Sequence, residues 1–208
     1  EDYKKALANN PELSFDDWRR DNVDRMVYQV SEVVEKVNKE QNKRVAFGIS
    51  PAGIWAPGKE SCQDSRGMEG GMDVACGSYS SYLDLYADTK KWVEEEWIDY
   101  ILPQVYSSLG DGNYEEVTEW WAEIVSKTDV KLYIGTALYN TVDKKFEQLE
   151  IYNQMKWCRA NEVVKANVAG YVFFSYQSFV SASDNALEFV KAYYSKDAVT
   201  QVIHKVSD

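Results

Sequence analysis

The run Trp97-Ile98-Asp99-Tyr100-Ile101-Leu102-Pro103-Gln104-Val105-Tyr106 sits between an acidic helical pattern and a loop of Ser, Gly and Asp. A short apolar run so placed reads as a buried strand of a parallel sheet. The unit recurs along the chain. Strands are predicted near 45–50, 98–106, 131–138 and 169–176. Helical spacing predicts helices from Ser14 to about residue 39, and over 82–96, 114–126, 146–164 and 184–194. Strand-helix alternation of this kind calls for an α/β fold with a parallel sheet. Residues 1–14 and the tail 197–208 read as polar and irregular, and residues 51–78 as one long Gly- and Ser-rich loop. The whole of 1–208 reads as a single domain.

Several chemistries are excluded. No strand is followed by Gly-x-Gly-x-x-Gly, and there is no Gly-Lys-Ser/Thr phosphate loop, so no nucleotide cofactor is expected. The net charge is −11, which opposes binding of nucleic acid. No apolar run is long enough to span a membrane. The single histidine, His204, lies in the tail, which excludes a His-based triad or a His-rich metal site. Cys62 and Cys76 flank one Gly-rich stretch within the long loop; they could pair in an oxidising compartment or stay free. Cys158, in a helical pattern, reads as a small core residue.

Three segments carry a resemblance: Asp17-Trp18-Arg19-Arg20-Asp21-Asn22-Val23, Phe47-Gly48-Ile49-Ser50-Pro51-Ala52-Gly53-Ile54-Trp55, and Leu85 to Val93 running on into Asp99–Tyr106. Trp120-Trp121 and Lys131-Leu132-Tyr133-Ile134-Gly135 follow in the same order. Over about residues 15–180 the chain resembles the bacterial glycosyl-hydrolase-like family 10, which is distinct from the family-10 xylanases. The resemblance implies an eight-stranded (β/α) TIM-type barrel acting on glycans of the cell envelope, with peptidoglycan strands as one candidate. It implies a periplasmic, cell-surface or secreted location, its signal segment outside this chain. It also implies that this chain is the second half of the barrel, with paired aspartates upstream of Glu1.

Glycoside hydrolysis needs two carboxyl groups across the scissile bond. None of the four predicted strand ends supplies one. Glu150, near the start of a helix, is the expected acid within the chain, with Asp73 and Asp111 as lesser loop candidates. Gln104 and Tyr106 are expected to bind sugar, because an amide and a phenol can bond hydroxyls while a ring stacks. Trp55 is expected as a sugar platform, Tyr139, Ser175 and Tyr176 as pocket lining, and Asn22 as a contact from the helix start. Arg19 or Arg20 would pair with nearby acids, Asp99 is read as structural, and Trp120-Trp121 as core. The leading expectation is a glycoside hydrolase. The alternatives are a carbohydrate-binding barrel without catalysis, and a half-barrel that associates with another chain.

Overall fold

The computed structural model describes residues 2–110 and 112–181. The helix expected over 184–194, the polar tail, Asp111 and His204 therefore lie outside the described residues.

The sheet is parallel throughout. β1 (Gly48–Ile49) pairs with β2 (Tyr100–Ile101), and β2 with β4 (Lys131–Thr136). β3 (Gln104–Val105) carries the line of β2 past Leu102-Pro103 and also pairs with β4. β5 (Val168–Phe173) pairs with β4 on its other side. Pro103 has no N–H to give, but its carbonyl still accepts from Gly135 N at 3.0 Å, so the ladder survives the proline. Parallel strands laid side by side in chain order, with helices between them, are the expected half of a (β/α) barrel.

One sheet face is packed. Ile101, Leu132 and Ile134 are fully buried, and Phe47, Ile49 and Tyr171 lean on the same core. The helical side is led by α5 (Tyr114–Val125), whose Tyr114, Trp121 and Ala122 are fully buried. The alternate side chains face the other way: Gln104 is exposed, Val172 is 43% and Phe174 57% exposed, and Tyr100 meets Tyr133 edge to face at 6.0 Å.

The helices depart from their expected lengths. Residues 1–14 hold a short helix, α1 (Asp2–Asn9), because Tyr3 packs on Phe15 and Trp18 and donates to Leu13 O at 2.7 Å. α2 (Phe15–Gln41) starts at Ser14, whose hydroxyl accepts from Asp17 N. Of its apolar residues only Val27 is buried, while Met26, Val30 and Val33 are 57%, 40% and 60% exposed. Asp24, on the same helix, is buried and accepts from Lys91 Nζ at 2.8 Å and Trp92 Nε1 at 2.6 Å.

The helix expected over 82–96 is two pieces, α3 (Ser81–Asp84) and α4 (Thr89–Glu94). Tyr86, between them, has φ of 54°, a conformation a β-carbon disfavours. The Arg19 guanidinium lies 3.4 Å over its ring. Asp88 then caps α4 through Lys91 N. The strand expected to reach residue 138 stops at Thr136, and α6 (Leu138–Val142) follows. The helix expected over 146–164 is α7 (Glu150–Ala160) and α8 (Glu162–Asn167), divided at Asn161, whose side chain caps α8 through Val164 N. The strand expected to run to 176 stops at Phe173, and Tyr176 opens α9 (Tyr176–Ser181).

The long loop is an ordered lobe. Pro57 bridges Met72 and Gly58 bridges Met68, while Met72 and Val74 reach the core. Cys62 and Cys76 form a disulfide. Closing a loop of 14 residues removes unfolded-chain entropy worth about 3 kcal/mol.

Candidate functional site

A cleft of about 350 Å³ opens where the chain leaves β1 and β3. Ala52, Gly53 and Ile54 form one wall, Gln104, Tyr106 and Ser107 the next, and Asn113 and Val117 at the start of α5 close it, with Tyr79 at the margin. Gly53 is required here: a β-carbon on it would lie 2.6 Å from Gln104 O. Behind the wall the Trp121 indole donates to Gly53 O at 2.7 Å. Gln104 is steadied by its amide, which donates to Ser50 O at 3.1 Å.

Beside the cleft stands an aromatic group. The Tyr106 ring is 5.8 Å from Tyr139 and 6.2 Å from Phe174, and Tyr139 is 6.2 Å from Phe174. Burial pushes the Tyr106 hydroxyl above the ordinary phenol range, with Tyr139 adding to it. Tyr139 thus reaches this end of the sheet from α6 and not from a strand.

The remaining expected residues are placed elsewhere or otherwise. Trp55 is 5% exposed, stacked on Trp120 at 5.7 Å, and donates to Asp88 Oδ1 at 3.0 Å. Its ring offers no open face, so it is a core residue and not a sugar platform. Asn22 donates to Trp18 O within α2 and does not line the cleft. Ser175 lies 3.4 Å from the Ser178 hydroxyl at the start of α9, and Tyr176 is 83% exposed. Glu150 is buried at the first turn of α7, where Oε1 accepts from Leu109 N and from Gln154 Nε2, both at 2.8 Å. Gln154 also donates to Ser107 O at 3.1 Å. The pair binds the loop after β3 to α7, and neither residue is part of the cleft lining. Asp73 is exposed; it takes a bond from Ser61, and its own N–H is held by Glu116. Arg20 pairs with Asp17 and covers the Tyr82 ring, and Asp99 holds Phe47 N at the sheet's start, as expected for structural residues.

Three residues of the site escape sequence reasoning. Phe174 lies on the uncovered face just past β5, whose run reads as uniformly apolar. Tyr79 lies in a loop with no periodicity. Asn113 stands before a helix, where asparagine ordinarily caps, yet here it makes no side-chain cap bond.

Among the described residues, one group has ligand-type chemistry for a metal: Cys62, Asp64 and Cys76. Its sulfurs are joined in the disulfide, and Arg66 holds the Asp64 carboxyl below its ordinary range. Asp88 moves the other way. Burial raises it, and the Trp55 and Lys91 N–H bonds only partly oppose this. A carboxyl raised on folding stabilises below its unfolded value and loses that contribution as pH rises through its folded value. Asp88→Asn keeps a carbonyl acceptor for both N–H groups. It should therefore gain stability on the parent as pH rises above the ordinary carboxylate range, read by urea unfolding at each pH. An unchanged difference would show that Asp88 is not a buried charge.

The comparisons agree with this architecture. The family model described as "Glycosyl hydrolase-like 10" matches residues 1–158. The chain belongs to the glycosyl hydrolase-like 10 family. Similar proteins include "Glycosyl hydrolase YngK" of Bacillus subtilis (strain 168), 37% identical over 174 residues, or 81% of this chain and 31% of that protein. "Glycosyl hydrolase DigH" of Escherichia coli (strain K12) is 35% identical over 125 residues, or 59% of this chain and 26% of that protein. The form from Escherichia coli O6:H1 is 36% identical over the same length. The chain thus spans about a third or less of these curated relatives. Among the described residues, no helix is long and apolar enough to cross a membrane.

Proposed function

We propose that this family 10 chain supplies the sugar-binding side of a glycoside hydrolase barrel, hydrolysing O-glycosidic bonds of a bacterial envelope polysaccharide. The observation that carries the reading is the cleft at the C-terminal ends of parallel strands, floored by Gln104 and Tyr106, where barrels of this architecture hold their substrates. The relatives named glycosyl hydrolases support the reaction class. In this reading further strands complete the barrel and bring the paired carboxyl groups, and Glu150 fixes the loop after β3. The disulfide supports an oxidising location such as the periplasm or cell surface.

A non-catalytic carbohydrate-binding barrel is the second reading. It is favoured by one observation: no Asp or Glu lines the cleft among the described residues. Calorimetry against a glycan panel, with turnover assays on the complete barrel, tests both. Gln104→Ala and Tyr106→Ala should each weaken glycan binding by about tenfold, the value of one good hydrogen bond or ring contact. Binding without cleavage by the complete barrel would favour the second reading. Absence of both would overturn the two together.

A further inference from the structure

The cleft has a margin that the proposed hydrolase function leaves unused. Tyr79 is 62% exposed, yet the backbone beside it is fixed. Ser80 N and Oγ both donate to Asp84, and Ser80 is fully buried. Ser81 N donates to Ile54 O at 2.9 Å, its hydroxyl to Ala52 O at 3.1 Å, and Tyr82 N to Trp55 O at 2.9 Å. The residues that follow Tyr79 are thus stitched to the cleft wall itself. An exposed ring on a fixed backbone beside a cleft has only its own side-chain freedom left to lose on binding. It presents an apolar face with a hydroxyl tip.

Asn113 faces the same cleft. Its backbone, at φ −96° and ψ 25°, is not the extended form of a capping residue, and its amide makes no cap bond. The side chain offers both a donor and an acceptor to whatever fills the cleft. Among the described residues, none of those lining the cleft is charged. Glu115 and Glu116 follow in the first turn of α5, and the chain carries −11 overall. A carboxylate or phosphate entering here would find no cation among these side chains, and the Glu115 and Glu116 carboxylates oppose the pull of the α5 N-terminus.

We propose that the cleft is a subsite for one uncharged pyranose residue, with Tyr79 as its stacking platform and Asn113 as a hydrogen-bonding selector, and that it rejects anionic sugars. The proposal rests on the glycan-binding reading above. Titration calorimetry of the complete barrel with cellotetraose, xylotetraose, chitotetraose and tetragalacturonate tests it. At least one neutral tetrasaccharide should bind, and tetragalacturonate should bind at least about tenfold more weakly. Tyr79→Ala should lose about tenfold in affinity, with Tyr79→Phe recovering most of the loss. Asn113→Ala should lose about five- to tenfold, with circular dichroism unchanged in each variant.

Retained affinity in Tyr79→Ala and Asn113→Ala, with loss in Gln104→Ala and Tyr106→Ala, would overturn this subsite and leave the glycan reading standing. Equal binding of tetragalacturonate would overturn the charge selectivity. No binding of any neutral tetrasaccharide would overturn the subsite, and the glycan reading falls with it only if envelope glycans also fail to bind the complete barrel.

Discussion

Trp121→Ala should cost about 3–5 kcal/mol, the range for truncating a fully buried large aromatic side chain. The ring is 0% exposed and meets Trp120 edge to face at 4.9 Å. Its indole N–H also donates to the buried Gly53 carbonyl, which truncation would deprive of that bond. A typical domain holds only roughly 5–15 kcal/mol, so the variant should stand near its unfolding midpoint in mild urea. Trp121→Phe keeps most of the volume and loses the hydrogen bond, and should cost about 1–2 kcal/mol. The consequence extends to the site, because Gly53 is cleft wall and its neighbour across the gap is the Gln104 backbone. A loss under about 1 kcal/mol for Trp121→Ala would mean that the core does not depend on this residue.

The second large effect belongs to Glu150. Removing its carboxylate leaves Leu109 N without its acceptor and the Gln154 amide with Ser107 O alone. Glu150→Ala should therefore cost about 2–3 kcal/mol and loosen the loop after β3. Glu150→Gln presents an amide oxygen at the same place and should keep the fold. In the complete barrel its turnover should fall less than about tenfold if the carboxylate serves only to hold the loop. A fall of about 10²–10⁴-fold with glycan affinity unchanged would instead make Glu150 the general acid. Steady-state kinetics and a binding isotherm on the same variant separate the two roles.

The parallel sheet was legible because Ile98–Val105 and Val130–Gly135 are short, mostly apolar runs flanked by helical patterns, the composition of parallel strands covered on both faces. The helix breaks were not legible. Tyr86 takes a left-handed backbone beneath Arg19, and no local pattern announces it. Asp88 and Asn161 read as ordinary polar positions until their side chains are seen to cap α4 and α8.

At the site, Gln104 and Tyr106 were legible because they are poor residues for a strand end packed on both sides. Trp55 was misread because composition cannot tell a platform from a core indole; the difference is Trp120 stacked upon it. Tyr79 had a weak signal in retrospect. It precedes Ser80-Ser81 with Asp84 four residues beyond Ser80, a helix start that would anchor whatever stands just before it.

The stacking of Trp55 on Trp120, with Trp121 next in line, also gives the chain an optical property. Three indoles in series, from the long loop to the interior of α5, lie close enough to pass excitation among themselves before any of them emits. Light emitted by this trio should be depolarised, whichever ring absorbed. Lifting the 51–78 lobe off the sheet would take Trp55 out of the series and restore polarisation to its emission. Any displacement of that lobe would therefore show in the protein's own fluorescence, without an attached dye.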